Sequence, residues 1–269
     1  MMKILKKAAA FVVALLAFFF YLAQELEMSP MVSDIISPDN YSGMEIPETV
    51  SDVPEQIISY LGYTLSYNNG TRLPNWVAYE LTAEEAEGEN PRKDRFRQDP
   101  QAYGPQGDKE DYKHSGWDRG HMAPAGDFKW SEEAMDETYY FTNICPQNTQ
   151  LNTGDWKELE EQCRRWAVKY GRLYIVCGPI VENNRYGTIG ENGVIIPDGF
   201  FKVILAPYYN KYKGVGFIFE NKKGGKKMVE HAVTIDEVER VTGIDFFPSL
   251  PDDVEDAVES AIEKSVWSL

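Results

Sequence analysis

The chain has 269 residues, a formal charge of −16, and a composition that is 43% hydrophobic and 13% aromatic. That apolar share is ample for a packed core and excludes a disordered or low-complexity protein, while the length allows one large domain or two small ones. The acidic balance excludes nucleic-acid binding through overall charge, so any such contact must use a local basic face and depend steeply on salt.

In chain order, the first element reads as a targeting segment. Lys3, Lys6 and Lys7 precede the uncharged run Ala8 to Ala23. A run of 16 residues fits a signal-peptide core better than a membrane span, which needs ~20. Leu22-Ala23-Gln24-Glu25 is not a clean small-x-small cleavage site, so an uncleaved signal anchor stays open, with residues 4–23 as a membrane tether. The expectation is therefore an exported protein, periplasmic or extracellular. Loss of residues 1–23 removes three lysines and no acid, which moves the charge from −16 to −19.

Residues 24–57 read as a linker, because Ser29-Pro30, Ser37-Pro38, Ile46-Pro47 and Val53-Pro54 are breaker signals. The globular body is expected over residues 58–269. Tyr63 to Tyr67 alternates as a strand, Asn68-Asn69-Gly70 is a turn, and Trp76 to Leu81 completes a hairpin. Residues 82–116 are irregular and polar, with basic Arg92, Lys93, Arg95 and Arg97. A short helix is expected over Ser131 to Thr138 with Ser131 as cap, then a strand over Tyr139 to Ile144.

A longer helix is expected from Thr153 to Lys169. Its residues Trp156, Leu159, Cys163, Trp166 and Ala167 form one apolar stripe, and Gly171 is a fitting stop. Strands follow at Leu173 to Gly178, Gly199 to Leu205 and Gly214 to Phe219. Thr234 opens a helix to Thr242 with a capping-box pattern. An acidic helix over Pro251 to Lys264 ends the chain. Strands in antiparallel order with intervening helices argue for one α+β domain rather than a doubly wound parallel sheet. Cys145, Cys163 and Cys177 permit one disulfide at most and form no C-x-x-C zinc pattern; the plainest reading is three small buried hydrophobes.

The chemistry gathers around Asp118-Arg119-Gly120-His121. A lone histidine is ordinarily a packed or surface residue. Arg119 alters that reading, because a neighbouring cation keeps the imidazole neutral and ready to accept a proton. Asn152 offers an amide oxygen of the kind Mg²⁺ accepts; taken alone, it simply caps the helix. Glu160 and Arg164 share one helix face; taken alone, they are an exposed i, i+4 pair. Lys222 to Lys227 is a basic turn that reads most simply as solvated.

These residues carry a family resemblance. The chain resembles the DNA/RNA non-specific endonuclease family, whose members include secreted bacterial and mitochondrial enzymes. The matching elements are Asp118-Arg119-Gly120-His121-Met122-Ala123-Pro124, Asn143-x-x-Pro146-Gln147, Leu151-Asn152 and Trp156-x-x-Leu159-Glu160. Matches continue at Ile196-Pro197-x-x-Phe200-x-Lys202-Val203-Ile204, Thr234 to Gly243 and Leu250 to Asp253. They run in order over roughly residues 60 to 258.

The resemblance implies a ββα-metal core within a mixed, mainly antiparallel α+β domain. By it, His121 is the general base, Asn152 the metal ligand and Glu160 the holder of metal-bound water. Arg119 and Arg164 face the scissile phosphate, and Asn143 supports the site. An upstream arginine also belongs to the pattern, with Arg95 or Arg97 favoured over Arg92. The implied cofactor is Mg²⁺, with Mn²⁺ as the alternative. The implied substrates are DNA and RNA, cut to 5′-phosphates, and a homodimer is a further implication. The competing reading is a catalytically silent, membrane-tethered nucleic-acid-binding protein on the same fold.

Overall fold

A computed structural model of the chain describes residues 43–49 and 53–269. The expected targeting segment, and the linker up to residue 42, lie outside the described residues. Gly43 to Leu269 belong to one unit. Among the described residues, no helix is long and apolar enough to cross a membrane.

The strands are β1 (Glu48–Thr49), β2 (Gln56–Ser59), β3 (Thr64–Asn68), β4 (Leu73–Thr82), β5 (Asp118–His121), β6 (Ile144–Gln147) and β7 (Arg172–Ile180). They continue as β8 (Thr188–Ile189), β9 (Val194–Ile195), β10 (Gly199–Tyr208), β11 (Lys211–Glu220), β12 (Ala232–Val233) and β13 (Ile244–Asp245). The helices are α1 (Ala83–Ala86), α2 (Lys109–Tyr112), α3 (Glu132–Glu137), α4 (Thr149–Thr153), α5 (Asp155–Tyr170), α6 (Ile235–Thr242), α7 (Asp252–Glu259) and α8 (Lys264–Trp267).

The large sheet has seven strands in the order β12-β11-β10-β7-β4-β3-β2, and every neighbouring pair is antiparallel. Its central strands are long apolar runs because both faces are covered. On β10 the alternation divides the two faces: Phe200 meets Trp156 of α5, and Phe201 meets Phe246 beyond α6. Helix α5 buries the expected stripe of Trp156, Leu159, Cys163, Trp166 and Ala167. The fold is thus mixed α+β, as the pattern of elements implied. The body's described residues start before the expected boundary at residue 58. Glu48 and Thr49 already pair with Asp245 and Ile244, and Met44 is fully buried.

Two expected elements differ. Tyr139 to Ile144 is not one strand. Tyr140 pairs only with Arg97, a 3-10 turn covers Phe141 to Asn143, and β6 begins at Ile144. The fully buried Asn143 side chain donates to the carbonyls of Ala123 and Thr138, bonds that hold the chain in this turn rather than in extended pairing. The last helix also stops early, at Glu259, and resumes as α8. There the indole of Trp267 packs on Trp166 and donates to the Gly214 carbonyl at 3.2 Å. Burial of that ring fixes where the chain must turn back.

Cys145, Cys163 and Cys177 are free thiols, all buried.

Candidate active site

The hairpin of β5 and β6 forms a two-stranded ladder of its own, packed in the same core as the large sheet, and carries the Asp118 to His121 segment. Gly120 pairs with Cys145, and the side chain of Gln147 fills the space beside it. A Cβ on Gly120 would stand 2.3 Å from Gln147 Oε1 and 2.7 Å from its Cβ, so only glycine fits between Arg119 and His121.

His121 is 8% exposed, its Nε2 is buried, and no hydrogen-bond partner reaches that atom among the described residues. Its ring sits 5.3 Å from Phe96 and 5.2 Å from Tyr139. Burial, then the charges of Arg92 and Arg119, push the imidazole down to about 3, against an opposing pull from Asp94. At neutral pH the ring is therefore uncharged. Its backbone is held on both sides. The Trp156 indole donates to the His121 carbonyl at 3.3 Å, and Met122 N donates to the Asn143 carbonyl at 3.0 Å. Asn143 Oδ1 also accepts from Ala123 N at 2.9 Å. Asn143 thus braces the turn after His121.

Asn152 lies in the last turn of α4. Asn148, not Asn152, caps that helix, accepting from Gln150 N and Leu151 N. The Asn148 backbone N–H is in turn held by Asn221 Oδ1 at 2.8 Å. Asn152 is left free to turn to the hairpin, where its Nδ2 donates to Asp118 Oδ2 at 3.0 Å. Thr149 donates to the other Asp118 oxygen at 2.8 Å. With its nitrogen committed to a carboxylate, the Asn152 amide presents its oxygen as an acceptor. Gly154 separates α4 from α5, with φ −112° and ψ −110°.

Glu160 and Arg164 do not form the ordinary surface pair. Arg164 Nη1 bonds the fully buried Asp127 at 2.6 Å, and Asp127 also accepts from Tyr79 at 2.9 Å. Gly126 permits that approach, since a Cβ there would stand 2.9 Å from Arg164 Nη1. Burial raises Glu160 to about 7, against the lowering charges of Lys202, Arg164 and Arg92. Lys202 is fully buried, 4.8 Å from the Trp156 ring. Burial alone would lower its pKa, but Cys177, Cys163, Glu160 and Asp127 raise it above the ordinary lysine value.

Arg92 acts on both His121 and Glu160 and stands 5.8 Å from the Tyr139 ring centroid. Arg97 is engaged elsewhere: it pairs with Asp136 at 2.7 Å and stacks over Tyr140 at 4.1 Å. Arg95 makes no side-chain hydrogen bond or ion pair among the described residues. Of the three upstream arginines, the structure therefore brings Arg92 to the histidine and ties Arg97 away from it. Arg119 lies 4.3 Å over the Phe96 ring, beside a depression lined by Lys109, Lys113 and Trp117.

Asp127 and Lys202 received no role from sequence reasoning. The signal for Lys202 was a lysine within the apolar run Phe200 to Leu205, a position that demands a partner. The donor set suits a hard cation. The Asn152 oxygen is uncommitted, the Glu160 carboxyl is near enough to neutral pH to ionise, and oxygen is what Mg²⁺ and Mn²⁺ take.

The model of the DNA/RNA non-specific endonucleases matches residues 40–253, and the chain belongs to this family. It is similar to "Nuclease EXOG, mitochondrial" of Danio rerio, 39% identical over 209 residues, which are 71% of this chain and 60% of that protein. The chain thus spans about three fifths of that relative's length. It is 32% identical over 209 residues to "Endonuclease G, mitochondrial" of Homo sapiens, covering 72% of this chain and 70% of that one. It is 32% identical over 232 residues to "Nuclease C1" of Cunninghamella echinulata var. echinulata, covering 80% and 90%. A solved EndoG/EndoGI complex contains a chain with a TM-score of 0.71 and 27% identity, covering 84% of this chain and 95% of that one.

These relatives correct the expected export. EXOG and endonuclease G are named as mitochondrial proteins, which points away from a periplasmic or extracellular location. A lysine-led apolar N-terminus does not separate one cellular address from another, because several targeting systems begin with basic residues.

Proposed function

We propose that this chain is a metal-dependent endonuclease that hydrolyses phosphodiester bonds of DNA and RNA with little sequence preference, leaving 5′-phosphates. The observation that carries the reading is the His121 imidazole, uncharged and unpartnered at Nε2 between Arg92 and Arg119. Family membership and the names of the relatives agree with it.

His121 takes a proton from the attacking water at Nε2. With two arginines facing it, the free imidazole is a weak base; arrival of an anionic phosphate offsets those charges and raises its basicity. Arg92, Arg119 and Arg164 bind and orient the phosphate. Asp127 fixes Arg164 through one nitrogen and leaves the rest of the planar fork to the substrate. Asn152 would hold Mg²⁺, with Mn²⁺ as the alternative, and Glu160 would hold water bound to it; the ion would supply Lewis-acid stabilisation of charge developing on oxygen. Asp118 orients Asn152, and Asn143 orients the His121 backbone. Contacts limited to phosphate and sugar carry no base information, which accounts for the weak preference.

Cleavage of supercoiled DNA and of RNA tests this, with Mg²⁺ or with chelator, for the wild type, His121→Ala and Asn152→Ala. Wild type should cut both polymers only with metal, and each variant should lose at least a hundredfold. A wild type that binds nucleic acid but leaves it intact under all metals would establish the silent-binder reading instead.

A further inference from the structure

A second group of carboxylates lies on the covered face of the sheet opposite α5. Asp236 and Glu239 stand three apart on α6 and so share one face of it. Glu259 ends α7, and one oxygen from each of these three residues lies within 4.8 Å of the others. Glu259 is 6% exposed, and its Oε1 is buried without a hydrogen-bond partner among the described residues. Glu255, one turn earlier on α7, has a buried and unpartnered Oε1 as well.

Such a group needs a counter-charge. An unpaired buried carboxylate is costly, and neighbouring carboxylates cannot all ionise together. The strongest charged neighbours of Glu259 are Glu239, Glu255, Asp236 and Asp245, all acids. Those of Glu255 are Asp245, Glu239, Asp252 and Asp256, again all acids. Arg240, the basic residue on α6, is committed to Glu237 at 2.7 Å. Glu239 does accept one bond, from Phe246 N at 2.9 Å, which fixes that carboxyl without neutralising it. The buried, unpartnered oxygens of Glu259 and Glu255 thus lie within a group of acids with no basic side chain among their strongest charged neighbours.

We propose that Asp236, Glu239 and Glu259 form a divalent-cation site, separate from the nuclease centre, that takes Ca²⁺ and clamps α6 to α7. All-oxygen carboxylate ligands select a hard ion. Ligands drawn from two helices, one exposed and one buried, suit the irregular coordination of Ca²⁺ better than the strict octahedron of Mg²⁺. The role is structural, because the three residues lie on the helices packed against β11 and not on the hairpin that bears His121. Glu259 also falls beyond residue 253, where the family match ends.

The test is thermal unfolding of the full chain with Ca²⁺ or Mg²⁺ titrated in. It is run in an Asn152→Ala background so that metal at the nuclease centre does not contribute. Saturating Ca²⁺ should raise the midpoint by about 5 °C or more, and Mg²⁺ by clearly less. Glu259→Gln in the same background should remove most of the Ca²⁺ shift and leave the metal-free midpoint no lower. Asp236→Asn lies on the exposed rim, where folding tolerates it, and should move the Ca²⁺ titration to at least tenfold higher concentration. No Ca²⁺ shift in the Asn152→Ala protein, or an undiminished one after Glu259→Gln, overturns the site. An equal response to Mg²⁺ overturns the assignment to Ca²⁺.

Discussion

The Asp118 carboxylate receives the Asn152 amide nitrogen at 3.0 Å and so decides which end of that amide faces away from the hairpin. With the Thr149 bond to the other Asp118 oxygen, it joins the β5 strand, which carries the proposed base, to the helix that carries the proposed metal ligand. Asp118→Ala should free the amide to rotate. Outer partners of this kind typically matter by about 10–100-fold in metal affinity or activity. The metal concentration for half-maximal cleavage should rise accordingly, while Asp118→Asn, which keeps an acceptor, should recover part of the loss. An unchanged metal requirement in Asp118→Ala would remove Asp118 from the site.

His121 links activity to acid stability. Its folded pKa of about 3 lies below the ordinary 6.5. As pH falls through 6.5 the unfolded chain gains this proton and the folded chain does not, so stability rises with pH across the interval and is lost as pH falls from 6.5 towards 3. The full interval corresponds to roughly 5 kcal/mol. Glu160 and Glu259 act in the opposite direction, because their raised values favour the protonated folded state. The clean measurement is therefore the difference between wild type and His121→Asn in denaturant unfolding at pH 4 and pH 7. Relative to the variant, wild type should lose several kcal/mol on acidification; equal losses would mean the ring is solvated.

Lys202 is the buried cation facing Glu160 and Asp127. Lys202→Met removes the charge and keeps an unbranched side chain one heavy atom shorter. Lys202 Nζ makes no hydrogen bond among the described residues, but its charge acts on both carboxyls; removing it leaves them without that compensation, at a cost of up to about 3–5 kcal/mol. The denaturant midpoint should fall accordingly. A Glu160→Gln change added to Lys202→Met should restore part of the stability, since one of the stranded carboxyls is then gone. Strictly additive losses would show that the two side chains do not act on each other.

Arg164 should not tolerate replacement by lysine. Asp127 holds one guanidinium nitrogen, and a lysine ammonium cannot serve Asp127 and a phosphate with the same planar fork. Arg164→Lys should lower kcat by about 10²–10³, the range seen when a preorganised donor is lost from a transition state. A fall confined to KM would instead mark a residue that binds substrate uniformly.

The basic turn at Lys222 to Lys227 is docked on α5, because Gly225 N donates to both Asp155 oxygens at 3.1 and 2.9 Å. That places Lys223, Lys226 and Lys227 near the start of the helix that follows Asn152. Replacing the three with glutamine should flatten the dependence of log affinity on log salt for duplex DNA by up to about three units. An unchanged slope would mean the turn stays clear of the substrate.

The spaced residues around His121 and Asn152 were legible in the sequence as a candidate site, because chemistry there depends on residue identity at short range. The apolar stripe of α5 and the long runs of β7, β10 and β11 were legible for a related reason: burial writes itself into periodicity. The aromatic run from Tyr139 misled, since strand propensity describes side chains and not the bonds that Asn143 makes to Ala123 and Thr138. Arg92 could not be chosen over Arg95 and Arg97 by spacing, because an irregular loop has no period and direction is set by Asp136, Tyr140 and Tyr139. Asp127 was hidden because its partner Arg164 is far away in sequence, and Lys202 because the groups whose charges act on it, Glu160 among them, are far away too. The cap at Asn148 was masked by a second asparagine four residues on.

The β5–β6 ribbon shares no ladder with the seven-stranded sheet. Its own four-position ladder and the side chains of Asn143, Trp156 and Asp118 hold it together. Met122, Ile144 and Cys145 also lie in one core with Val77, Tyr79 and Cys177 of the large sheet, and Cys177 Sγ donates to the Met122 carbonyl at 3.2 Å. Ribbon and sheet therefore stand or fall as a unit: warming that ends cutting should unravel the bulk of the molecule over the same interval.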